Sequence, residues 1–215
     1  MLVTEVPNAL PGGSSLLRNE PVQARSSARL SGLLDAAAAV IDEIGFERLT
    51  TAMVAERAGA SIGTVYRYFP DRIAVVEALA IRNTQRLAEH FVTALSESGA
   101  TTWQEACDAL IDVTAEMYRT EPGFRAIRFG DAADTGTGDS EDRMAALGST
   151  VAQILHERFG VPATERTART WVVLAEASHA VFARAYRDPA APDTGLVEEY
   201  RTMSRTHLEA VIASS

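Results

Sequence analysis

The chain has 215 residues and 47% hydrophobic content, enough to bury a substantial core, and no stretch reaches the uninterrupted apolar length of a membrane span. No basic segment leads into an apolar block at the N-terminus, so neither export nor a membrane partner is expected. The single cysteine, Cys107, excludes an intramolecular disulfide and a thiolate metal site, which fits a reducing cytoplasm. The net charge of −9 is unevenly divided: residues 1–72 hold seven arginines against eight acids and residues 73–215 thirteen against twenty-one, so the acidic part is expected to face away from any polyanion. All twenty basic residues are arginine, which in so alanine-rich a chain reads as codon bias rather than selection for bidentate contacts.

Residues 1–27 contain LPGGSS and NEP, break any apolar period and are expected to form a mobile tail. Arg25 and Arg29 lie just before and at the start of the first helix, where an N-terminal arm meets phosphates or a minor groove in related architectures. In that helix Leu30, Leu33, Leu34, Ala37, Val40, Ile41 and Ile44 recur at helical spacing, and Gly45 stops it.

The run Leu49–Arg72, LTTAMVAERAGASIGTVYRYFPDR, encodes two short helices joined by a tight turn. Thr50 or Thr51 caps the first, whose apolar positions are Met53, Val54 and Ala58. Gly59 ends it in a left-handed conformation, Ser61 caps the second, Val65 and Phe69 point inward, and Pro70 terminates the unit. Two helices across a three- to four-residue turn containing glycine match the helix-turn-helix, whose second helix enters a major groove. Thr64, Tyr66, Arg67 and Tyr68 then leave hydroxyls and a guanidinium outside the Val65/Phe69 face for phosphate oxygens and base edges.

Gly45, Thr50, Val54-Ala55, Ala58-Gly59, Gly63-Thr64, Tyr66, Tyr68-Phe69 and Asp71-Arg72 together resemble the DNA-binding domain of the tetracycline-repressor (TetR) family, over roughly Leu30–Leu79. The resemblance implies a DNA-binding set of Arg29, Thr50, Thr51, Ser61, Ile62, Gly63, Thr64, Tyr66, Arg67, Tyr68 and Arg72. Arg72 keeps a charge that many members carry as lysine, whereas Ala52 replaces a long polar residue that reaches a base in some relatives.

Asp71 can cap a long helix through Val76, Leu79, Leu87, Phe91 and Leu95 that links a DNA-binding part to a body. The body shows apolar stripes at Trp103, Cys107, Leu110, Val113 and Met117, and at Met144, Leu147, Val151, Leu155 and Phe159, ended by Gly160 and Pro162. A third spans Ala163 to Tyr186 through Trp171, Leu174, Ala175, Val181 and Phe182. The last runs through Leu196, Tyr200, Met203, His207 and Val211. Residues 130–142, GDAADTGTGDSED, read as a mobile loop between the first two stripes.

Few residues compete as chemistry. Glu176 and His179 have ExxH spacing, but di-iron bundles need a second copy and further glutamates, so no metal and no cofactor is expected. His156 and Glu157 diverge around a helix, and His207 on an apolar stripe reads as packing or interface. Cys107 among core positions reads as a small buried hydrophobe. No phosphate loop, nucleophile elbow or catalytic triad is present, so no enzyme activity is expected. Trp103, Met117, Phe124 and Trp171, with Glu176 or His179 as a polar anchor, suit the wall of the effector pocket the family resemblance implies; as core residues they need no explanation.

The expectation is an all-α chain with a helix-turn-helix domain over residues 28–75 and a helical effector-binding and dimerisation domain over 76–215. Its implied role is a ligand-responsive repressor that binds a palindromic double-stranded DNA operator as a homodimer, paired through its last two helices, and is released by a small molecule. The alternatives are an activator on the same fold, and a small-molecule-binding or metal-bundle helical protein in which the motif is only a helical hairpin.

Overall fold

The computed structural model describes residues 24–127 and 139–214, with side chains described from Ser26 and, in the second stretch, from Ala146. These residues form eight α-helices and one 3-10 turn. They are α1 (Ala24–Ile44), the turn Phe46–Arg48, α2 (Thr51–Arg57), α3 (Ile62–Tyr68), α4 (Arg72–Glu97), α5 (Trp103–Thr120), α6 (Asp139–Phe159), α7 (Glu165–Ala185) and α8 (Thr194–Ala213). No strand occurs among the described residues, in keeping with the all-α expectation. Most of the expected N-terminal tail, the side chains of Arg25 and Met144, the greater part of the 130–142 loop and Arg128 lie outside the described residues.

The described chain divides into two compact units, one holding residues 24–84 and 121–127, the other 85–120 and 142–214. In the first, the face of α1 carrying Leu33, Leu34, Ala37, Val40 and Ile41 is buried against Val54, Ala55, Val65, Phe69, Val75 and Leu79. The spacing of those α1 residues lays an apolar stripe along one side of the helix, and burying such a stripe is what makes the helix stable in water. The helix closes where the Gly45 N–H donates to the Ile41 carbonyl at 2.8 Å. It begins at Ala24, several residues ahead of the expected start, and there the Ser26 hydroxyl lies 3.0 Å from that of Tyr68 on α3. A tertiary hydrogen bond extends the helix beyond what its local sequence signals.

Residues 121–127 are far along the chain yet belong to this unit. The Gly123 N–H donates to Asp42 Oδ1 at 3.3 Å, the Arg125 guanidinium pairs with the same carboxylate, and Ile127 is buried in the α1 core. Gly123 has φ +74, and a Cβ placed there would stand 3.1 Å from both the Cα and the carbonyl oxygen of Ala38. Glycine is therefore required twice over, by the left-handed backbone and by the closeness of α1.

In the second unit Leu95, Ala106, Cys107, Leu110, Val151, Leu155, Val161, Trp171, Leu174 and Leu208 form one apolar core. α7 and α8 run antiparallel, their register marked by Tyr200 Oη donating to the Leu174 carbonyl at 2.7 Å and Arg166 Nη1 donating to Ser214 Oγ at 2.8 Å. α8 is tied to α5 by Arg201, which meets Asp112 at 2.6 Å and Asp108 at 3.3 Å, with Arg205 also on Asp108 at 3.4 Å.

The α8 stripe differs from the expected one. Val197, Tyr200, Ser204, Leu208 and Val211 are buried, while Met203 is 50% exposed and His207 is exposed. Steps of three, four, four and three keep the buried set on one side of the helix, whereas the expected set drifts off it at positions 203 and 207. In α2, similarly, Val54 and Ala55 are buried and Met53 is 38% exposed. α6 begins at Asp139, inside the segment expected as a loop, and the described part of its stripe keeps Leu147, Val151 and Leu155 buried.

The two kinds of glycine give a direct comparison. Gly123→Ala is expected to cost about 2 kcal/mol or more, from left-handed strain and collision with α1 backbone. Gly59→Ala, with φ +57 and no atom within 4 Å of a Cβ, should cost only the strain, about 1 kcal/mol. Urea denaturation of the two variants measures the difference, and equal losses would show that α1 yields at Ala38.

Candidate nucleic-acid interface and body core

Seven-residue helices are too short to persist alone, so the ends of α2 and α3 carry much of their definition. Thr50, rather than Thr51, caps α2, its Oγ1 accepting the Met53 N–H at 3.2 Å. Past the helix, Gly59 adopts φ +57 and the Ala60 N–H turns back to the Ala55 carbonyl at 2.9 Å, closing the turn. Ser61 Oγ accepts the Thr64 N–H at 3.1 Å and starts α3. Each such cap contributes about 1 kcal/mol. Val65 and Phe69 are fully buried as the motif requires, and beyond Pro70 the Asp71 carboxylate accepts the Ala74 N–H at 3.0 Å to cap α4. Arg57 adds a 2.6 Å ion pair to Glu43 that ties α2 to α1, although at this exposure such a pair contributes little.

With the interior so arranged, the outward face is defined. Ile62 is 43% and Tyr66 44% exposed, Gly63 and Arg67 are exposed beside them, and Thr64 is half-buried. Thr51 is half-buried too, with its hydroxyl 3.4 Å from that of Tyr66, which joins the outer sides of α2 and α3. Thr50 and Ser61 are exposed but hold their caps, and Arg29 is exposed on α1. Arg72 is exposed at the start of α4, one guanidinium nitrogen donating to the Glu47 carbonyl at 2.7 Å. Tyr68 sits apart from the hydroxyl cluster expected of it. Its ring is 3% exposed in the α1 core, its hydroxyl engages Ser26, and Arg67 lies over the ring 5.3 Å from the centroid. Packing against α1 takes the ring that outward placement would have offered.

In the body unit, Trp171 belongs to the buried core that holds Cys107, and Trp103, partly buried, packs against that core. Met117 is 2% exposed on α5. His179 is buried, its Nδ1 hydrogen-bonded to the Tyr118 hydroxyl, whereas Glu176 three residues earlier is exposed. Phe124 is buried in the other unit. Around Tyr118 the structure assembles a group not anticipated as a cluster: the ring lies 5.7 Å from Phe182, 6.3 Å from Tyr186 and 5.8 Å from His179, and Phe182 meets Tyr200 edge-on at 5.6 Å. Tyr118 and Tyr186 had only their helical spacing from other buried residues to announce them, a signal that does not separate ring from ring. Burial pushes the Cys107 thiol up to about 12, so the thiol stays protonated and inert near neutrality. It pushes the Tyr200 phenol up to about 12 as well. Among the described residues no group of three or more histidine, cysteine or carboxylate side chains is placed to hold a metal ion, and no helix is long and apolar enough to cross a membrane.

Two capped short helices held across a glycine turn on a buried scaffold, followed by a helical body, define a helix-turn-helix DNA-binding regulator. The chain belongs to the tetracycline-repressor family: residues 33–79 match the family of bacterial regulatory proteins of the tetR type and residues 101–212 match the tetracyclin repressor-like C-terminal domain. A TetR-family transcriptional regulator from Streptomyces coelicolor is 32% identical, with 85% of this chain and 99% of that one aligned at a TM-score of 0.71. The HTH-type transcriptional repressor KstR of Mycolicibacterium smegmatis is 33% identical over 116 residues, 52% of this chain and 56% of that protein. The nucleoid occlusion factor SlmA of Idiomarina loihiensis is 28% identical over 134 residues, 60% of this chain and 67% of that protein. The chain thus spans little more than half the length of the KstR relative.

The raised Tyr200 value has a definite sign. An unfolded tyrosine ionises near 10 and the folded one near 12, so between these values the unfolded state has lost a proton that the folded state keeps. The stability that Tyr200 contributes is full below pH 10 and is lost as pH rises through 12. Tyr200→Phe should cost about 1 kcal/mol at pH 8 by removing the bond to Leu174, and should lose less stability than the parent on going from pH 9 to pH 11. Parallel denaturation curves at those pH values make the comparison.

Proposed function

We propose that the protein is a transcriptional repressor that binds a palindromic operator as a homodimer and leaves it when a small apolar molecule enters the body. The outward face of α3 carries this reading: Ile62, Gly63, Tyr66 and Arg67 stand exposed while Val65 and Phe69 anchor the helix from behind. A recognition helix reads only a few base pairs, so useful affinity and specificity call for two of them. A dimer is further supported by Val172 and Val173 on α7, 39% and 60% exposed, and by Met203 on α8 at 50%, large apolar side chains without cover in the single chain. A DNA-binding role supports a cytoplasmic setting, and the similarity to KstR, a transcriptional repressor, favours repression over activation.

For the effector, Trp103, Met117 and Trp171 offer an apolar wall, and His179, buried and paired with Tyr118, is a better placed polar anchor than the exposed Glu176. The acidic balance of residues 73–215 favours a neutral or cationic molecule. Such a molecule regulates only if it binds the released state more tightly than the operator-bound one, and α4, continuous from residue 72 to 97, joins the operator-reading part to the body.

Fluorescence anisotropy against selected duplexes tests the DNA reading, with sequence-specific binding at a stoichiometry of two protomers per palindrome as the expected outcome. Binding no tighter than to random DNA would refute it. Arg72→Ala should weaken binding to all sequences alike and reduce the salt slope by about one per protomer. Gly63→Leu should keep its melting temperature, since only Ser61 Oγ, at 3.8 Å, lies near a Cβ there, and should lose operator binding. Thermal shift and tryptophan quenching with a mixed ligand panel address the effector: apolar neutral or cationic molecules should both stabilise the protein and release it from DNA. A response confined to polar anions would overturn the pocket chemistry and leave the regulator.

A further inference from the structure

The recognition helix, IGTVYRY, contains no asparagine, glutamine, aspartate, glutamate or lysine. Bidentate reading of adenine calls for Asn or Gln and that of guanine for Arg or Lys, and Arg67 alone has the chemistry. Arg67 lies near the C-terminal end of α3, drawn over the Tyr68 ring at 5.3 Å, whereas base edges are met by the N-terminal residues of such a helix. The hydroxyls at that end have partners of their own: Ser61 Oγ takes the Thr64 N–H at 3.1 Å and lies 2.9 Å from Thr64 Oγ1, while Tyr66 Oη is met by Thr51. α2, TAMVAER, adds no amide either, and its exposed Ala52 has no group to reach a base.

The outward face of α3 is left with Ile62, its first residue, and the Tyr66 ring one turn on, four residues apart and hence on one face, both large apolar groups exposed by more than two-fifths. Gly63 beside them carries no side chain, so the helix backbone can come close to the base edges and bring Ile62 against them. Of the groups a base pair shows in the major groove, only the thymine 5-methyl is apolar. We propose that Ile62 and Tyr66 read thymine methyl groups, and that each operator half-site therefore carries thymine at the positions under these two side chains. This rests on the DNA-binding reading above and specifies how that site chooses its sequence.

Replacing thymine by deoxyuridine removes only the methyl group. With the full-length protein and a selected operator, anisotropy titrations are made with each thymine exchanged in turn. At one or two positions per half-site the exchange should weaken binding about four-fold per methyl, the worth of one buried methyl-sized apolar group. In Ile62→Ala or Tyr66→Ala the thymine-uracil difference should vanish at the position that residue covers and persist elsewhere. Uniform tolerance of uracil by a protein that still selects its operator overturns the inference and leaves the regulator standing, as does a difference undiminished in both variants. Absence of any sequence preference removes the DNA-binding reading and the inference together. Ile62 and Tyr66 are exposed, so their variants are expected to melt with the parent; should either fail to fold, the exchange series with the parent protein still decides the matter.

Discussion

Everything in the first unit depends on the burial of α1. α2 and α3 have seven residues each, two turns of helix, and neither recovers its nucleation cost from its own hydrogen bonds. What holds them is the apolar floor of Leu33, Leu34, Ala37, Val40 and Ile41, onto which Val54, Val65 and Phe69 are pressed until no side-chain surface remains. That floor sets which side of α3 faces outward. Asp42 and Ala38, on the same helix, also receive residues 121–127, so one helix organises both the motif and a segment some eighty residues downstream.

The body solves a different problem. Its helices are long enough to be amphipathic in their own right, and their packing is selected by a few polar devices set among apolar residues: Tyr200 on the Leu174 carbonyl, Arg201 between Asp108 and Asp112, His179 against Tyr118. Such groups add little net stability in water-exposed settings but cost dearly if left unpaired in a core, so they penalise every other register of α5, α7 and α8.

The two units place different demands on sequence, and this is why the family is plain in the first of them. A helix-turn-helix must meet one invariant object, the DNA backbone and groove, and that geometry leaves a dense pattern of spaced residues. A ligand-binding body needs only an apolar interior with a few polar groups, and many sequences satisfy that demand.

By itself the sequence determined those elements whose cause is local. The 3.6-residue stripes of α1 and α4, a threonine cap at Thr50 or Thr51, the caps at Ser61 and Asp71, the turn at Gly59 and the stop at Pro70 are written in neighbouring residues, and the helix-turn-helix with them. Tertiary structure decided whatever depends on residues distant in sequence. It turned Tyr68 inward onto Ser26, started α1 at Ala24, brought Gly123 against Ala38, and gathered Tyr118, His179, Phe182 and Tyr200 from three helices. It also rotated α8 so that Ser204 and Leu208 are buried while Met203 and His207 are not. Periodicity shows that a helix has an apolar face, but an amphipathic helix rich in alanine and threonine can be turned by tens of degrees at small cost, and only its neighbours choose the angle.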